Sequence, residues 1–80
     1  MDATRVIAVL NGPSCKLDAA LLPDTPLVET GLMDSLALFN LALWIEEEIG
    51  RPLDLATLDI AAAWATPAAI AGFIAAEQRR

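Results

Sequence analysis

ETGLMDSLALFNLALWIEEE (residues 29–48) places one serine, Ser35, directly after an acid, Asp34, and follows it with ten residues of which nine are apolar. A block of three glutamates, Glu46 to Glu48, closes the run. Gly50 and Pro52 then supply stop signals, so the stretch predicts a helix from about Ser35 to Gly50 with Asp34 or Ser35 as its N-cap. Leu38, Leu41, Ala42, Ile45 and Ile49 recur at i, i+3, i+4, i+7 and i+11. That single stripe is enough to seat the helix on a core. It leaves apolar residues over: Leu36, Phe39 and Leu43 form a second row, with Trp44 beyond it. A helix apolar nearly all round is either enclosed or presents a face to a partner. The second row is therefore read as a docking surface beside Ser35, the alternative being that a loop covers it.

The rest of the chain predicts three more helices. Val6, Ile7 and Leu10 fall at helical spacing between about Asp2 and Asn11, and Gly12–Pro13 ends that element. A connection over residues 13–33 follows, punctuated by Pro13, Pro23 and Pro26. Loops this long are uncommon in compact domains unless they pack down or serve a purpose. Leu17, Leu21, Leu22, Leu27 and Val28 suggest packing, with a helical turn at Leu17 to Leu22. A short helix is expected between Asp59 and Ala65. The last one starts with Thr66 as N-cap and Pro67 at the first helical position. Ile70, Phe73 and Ile74 face inward from it, and Arg79 and Arg80 lie at its C-terminal end, where cations suit the helix dipole. No strand pattern or repeat is present. The fold class is all-α, a small four-helix bundle with a long first loop and a short third helix, in one domain over residues 1–80.

Composition narrows the function. Eighty residues, 56% hydrophobic and 20% charged, describe a folded chain with a thin core and no room for an enclosed substrate cavity beside it. Eleven acids against five Lys plus Arg give a net charge of −6, which argues against nucleic acid. That balance suits a partner with a basic surface, and it equally suits simple solubility. The chain has no histidine, so no imidazole base for nucleophilic catalysis, and its four glycines are isolated at positions 12, 31, 50 and 72. Glu46 to Glu48 read as a solvated patch, not a metal site. The lone Cys15 forms no internal disulfide and reads as a small buried or loop residue. No signal peptide or membrane span is expected, and the location is taken as cytoplasmic. On its own residues this is no enzyme.

Ser35 stays open at this level. A serine at a helix start is ordinarily a cap, yet free N–H groups and the positive end of the dipole also suit an anion there, such as a phosphodiester on the hydroxyl.

GLMDSL, with an aspartate directly before a serine that opens the second of four helices, resembles the attachment site of acyl carrier proteins. The likeness extends over nearly the whole chain: short first helix, long loop, DSL, WIEEEIG closing the second helix, TP opening the last. It implies a 4'-phosphopantetheine arm from coenzyme A on Ser35, whose thiol holds cargo as a thioester. Asp34 would serve transferase recognition, and Leu36, Phe39, Leu43 and Trp44 would dock partners. Those partners are a phosphopantetheinyl transferase and an acyl or aminoacyl ligase or transferase, with no nucleic acid, no stable membrane insertion and a monomeric chain. Carriers of fatty acid synthesis usually place acids shortly after the serine, where this chain has Ala37 and Asn40, and the segment from Leu53 to Thr66 is slightly longer than theirs. ETGLMDS with WATP is similar to the D-alanyl carrier proteins. Three readings follow: a carrier of acyl or aminoacyl groups, a dedicated D-alanyl or aminoacyl carrier loaded by an ATP-dependent ligase, or a helical adaptor with no prosthetic group and Ser35 only as a cap.

Overall fold

The computed structural model describes residues 2–13, 15–17, 20–31 and 33–79. They form four helices: α1 (Ala3–Leu10), α2 (Ser35–Ile49), α3 (Ile60–Ala63) and α4 (Pro67–Gln78). No strand occurs among the described residues. Each helix starts on a side-chain oxygen that satisfies one of the backbone N–H groups a helix start leaves open. Asp2 accepts from Thr4 N at 3.0 Å, Asp34 from Ala37 N at 2.7 Å, Asp59 from Ala62 N at 3.3 Å and Thr66 from Ala69 N at 3.1 Å. Gly50 ends α2 at φ +75°, a left-handed conformation that only glycine adopts without strain, and its N–H donates to Glu46 O at 2.9 Å.

The central element is α4, which touches each of the other three helices. It buries Ile70, Ala71 and Ile74 against Val6 and Leu10 of α1 and Leu41, Ala42 and Ile45 of α2. Trp64, at the end of α3, is buried and meets Phe73 edge to face with ring centroids 5.8 Å apart. Its indole Nε1 has no partner among the described residues, which costs on the order of 1–3 kcal/mol against the gain from burying the ring.

The long connection packs down, as its leucines suggest. Leu21 and Leu27 are buried, while Leu17 and Val28 are partly so. Two hydrogen bonds stitch it to the α3–α4 junction: Leu27 N–H to Ala65 O at 2.8 Å and Ala68 N–H to Pro23 O at 2.9 Å. Leu22 departs from the expectation, being 64% exposed at the turn where its N–H meets the Thr25 hydroxyl. The helical turn expected at Leu17 to Leu22 includes Asp18 and Ala19, which lie outside the described residues; Ala20 to Leu22 are not helical. Arg80 also lies outside them, and Arg79 is the C-cap of α4.

The glutamate block is not simply a solvated patch. Glu46 accepts from Leu53 N at 2.7 Å and so turns the chain after α2. Glu48 pairs with Arg5 of α1 at 2.8 Å, and its carbonyl accepts from Gln78 of α4 at 3.1 Å. Arg51 reaches the Glu77 carboxylate and carbonyl, both at 2.9 Å. Together these contacts gather the C-terminal ends of α2 and α4. Glu47 is the member of the block that stays exposed.

Two leucines on α2 test the assignment of its faces. Leu41→Ala, at a fully buried position, is expected to lower stability by about 2–5 kcal/mol. Leu43→Ala, half a turn away on the open side, is expected to change it by less than about 1 kcal/mol. Urea unfolding of both variants followed by circular dichroism measures the contrast.

Candidate functional site

The start of α2 is held from the inside and open on the outside. Met33 is buried just before it, and Ala37 is buried in its first turn. Beneath Ala37 lies the buried Cys15, whose thiol donates to the Ala37 carbonyl at 3.6 Å. Burial pushes the Cys15 thiol above its ordinary value, because a thiolate there would be poorly solvated. A thiol in that state is a poor nucleophile at neutral pH, so Cys15 belongs to the packing.

Asp34, not Ser35, is the N-cap. Its Oδ1 takes the Ala37 N–H at 2.7 Å and its own carbonyl takes the Leu38 N–H at 3.0 Å. Ser35 is thereby the first residue of the helix proper, and it is exposed. Its hydroxyl bonds to no described residue, so the plain explanation of the serine as a cap does not apply here. The N–H groups of Ser35 and Leu36 lie in the open first turn, at the positive end of a fifteen-residue helix. This corner suits a phosphodiester on the Ser35 hydroxyl, which would find N–H donors there and no bond to a described residue to displace.

Beside it runs the surplus apolar row. Leu36 is 68% exposed, Phe39 56% and Leu43 45%. The first loop does not cover them. Trp44, grouped with this row by sequence, sits differently: it is partly buried and packs against the core. Ala37 was not legible as a core contact, since it falls outside the stripe that starts at Leu38. Among the alanines, Ala42 and Ala71 are buried, whereas Ala61 and Ala62 on α3 are exposed. A helix of four residues has too little surface to turn all of them inward.

A cleft of about 440 Å³ opens between the first loop and α3. Pro26, Val28 and Glu29 form one wall, and Ala61, Ala65 and Thr66 the other. No sequence pattern marked it, because its walls are two segments distant in sequence, joined by the Leu27–Ala65 hydrogen bond. No group of three or more potential metal ligands occurs among the described residues.

Compared with known families, residues 14–74 match the model described as phosphopantetheine attachment site. No curated protein and no solved structure matches the chain. The chain belongs to the phosphopantetheine attachment site family, whose members hold 4'-phosphopantetheine covalently on a serine and act as carriers, not as enzymes. The reading as an adaptor without a prosthetic group falls with that match.

Because Asp34 is the cap, the two site residues have separable effects on stability. Asp34→Ala is expected to cost about 0.5–2 kcal/mol, and Asp34→Asn only a few tenths. Ser35→Ala is expected to be neutral or slightly stabilising, since alanine is the better helix former at a position with no capping role. Thermal unfolding of the three variants checks this, and a loss of more than about 1 kcal/mol in Ser35→Ala would contradict the assignment of the cap.

Proposed function

We propose that this chain is a carrier domain that holds an acyl or aminoacyl group on an arm attached to Ser35 and presents it to successive enzymes. The observation that carries the assignment is the division of labour at the start of α2: Asp34 closes the helix, and the hydroxyl of Ser35 is left exposed and unbonded. The family match spans two serines, Ser14 and Ser35, and Ser35 is the one with an aspartate before it and a helix behind it.

When bound, the arm supplies a thiol that holds cargo as a thioester. The chain's own residues do the rest. Ser35 presents its oxygen to a phosphopantetheinyl transferase, and the open first turn of α2 accommodates the resulting anion. Asp34 engages the transferase through the carboxylate oxygen that the cap leaves over. Leu36, Phe39 and Leu43 give a partner an apolar contact next to the tether, with Trp44 bracing the row from the core side. The net charge of −6 favours partners with basic surfaces around that contact. No described helix is long and apolar enough to cross a membrane; a monomeric, cytoplasmic carrier is the reading that accords best with these features.

A dedicated aminoacyl carrier is the more specific form of this reading. Ala37 is buried, and so could not hold the acid found after the serine in fatty acid carriers. The tryptophan of the WATP segment, Trp64, fills the space between α3 and α4 with a large rigid ring and leaves less slack there for a long chain.

Incubation with coenzyme A and a broad-specificity transferase is expected to add one phosphopantetheine mass to the wild type and none to Ser35→Ala, with circular dichroism unchanged. Modification of Ser35→Ala, or failure of the wild type with every transferase tried, contradicts the proposal. For docking, Phe39→Glu or Leu43→Glu is expected to slow loading of cargo by tenfold or more, about 1.4 kcal/mol. Stability should shift by only about 0.5 kcal/mol.

A further inference from the structure

The cleft between the first loop and α3 is preformed. Its walls are tied by the Leu27 N–H bond to Ala65 O at 2.8 Å, and the loop is braced by Ala68 N–H on Pro23 O at 2.9 Å. Within the loop, the Thr30 hydroxyl bonds to Pro26 O at 2.7 Å and Gly31 N–H to Val28 O at 3.1 Å. At about 440 Å³ it lies within the range of small-molecule sites. Its chemistry is lopsided. Pro26, Val28, Ala61 and Ala65 contribute hydrocarbon, and the hydroxyl of Thr66 is committed to capping α4. That leaves Glu29 as the one charged group among the described lining residues, and no described residue pairs with its carboxylate.

Ser35 lies six positions after Glu29, so their Cα atoms lie at most roughly 22 Å apart. The turn at Val28 to Gly31 shortens that span further, which puts the cleft within reach of an extended arm. We propose that this cleft receives an aminoacyl cargo with a small side chain: Glu29 pairs with the α-ammonium group, and Val28, Ala61 and Ala65 contact the side chain. The inference rests on attachment at Ser35. A fatty acyl chain has no group for the carboxylate and would have to lie against a charge. A carboxylate beside a small apolar surface matches the two halves of an amino acid such as alanine, and Glu29 is then a specificity-determining residue.

The test uses holo protein made with coenzyme A analogues that carry alanyl or propionyl through an amide in place of the thioester. The two cargoes differ by the ammonium group. Intact mass first establishes the arm on Ser35; no mass gain there contradicts the attachment reading and this one with it. On modified protein, ¹H–¹⁵N and methyl spectra are expected to shift at Val28, Glu29, Ala61 and Ala65 with the alanyl cargo and not with propionyl. In Glu29→Gln those shifts should fall roughly two- to fivefold, the effect of losing one solvent-exposed ion pair. Equal shifts with propionyl, shifts already present without cargo, or an unchanged response in Glu29→Gln would overturn the proposal while leaving attachment intact.

Discussion

The carboxylate of Asp34 takes the N–H of Ala37 at 2.7 Å, and the rest of the site depends on that bond. It ends the loop at a fixed residue, so that Met33 points into the core and Ser35 points out of it. It also relieves Ser35 of the role a serine usually takes at this position. Had Ser35 been the cap, its hydroxyl would be engaged with the backbone and less available for modification. From the same starting point the helix phase follows: Ala37, Leu41, Ala42 and Ile45 turn inward, and Leu36, Phe39 and Leu43 remain exposed. Ser35 and the exposed apolar row are adjacent because one helix, with its phase set at its first turn, presents both.

That arrangement requires a bundle in which α2 is only half covered. With eighty residues the chain cannot bury two faces of a fifteen-residue helix and still pack α1, α4 and Trp64. The interior goes to α4, which contacts all three other helices. Contacts from Glu48 and Arg51 to α1 and α4 hold the far end of α2. One end of the helix is therefore open and the other is committed to structure.

Much of this was legible in the sequence because it is encoded locally. Asp2, Asp59, Thr66 and Pro67 mark helix starts through short-range hydrogen bonds and backbone preferences. Gly50 marks an end through its left-handed φ. The exposed row was legible by subtraction, since the stripe starting at Leu38 already sufficed for the core. What escaped was tertiary. Both Asp34 and Ser35 are good caps, and only the backbone phase selects one. Glu46 and Glu48 look solvated until Leu53 and Arg5 arrive beside them. Ala61 and Ala62 are exposed because α3 is a single turn. Trp44 belongs to neither face by periodicity alone, and the cleft beside Glu29 exists only where two distant segments meet.

The proposed function requires attachment of the arm at Ser35 and not at Ser14, the other serine in the matched span. Tryptic cleavage after Lys16 places the two serines on different fragments, so mass spectrometry of the digested holo protein decides between them. Attachment at Ser35 puts the phosphopantetheine mass on the fragment that begins at Leu17, with fragmentation locating it on that serine. The same mass on the fragment that ends at Lys16 would contradict it.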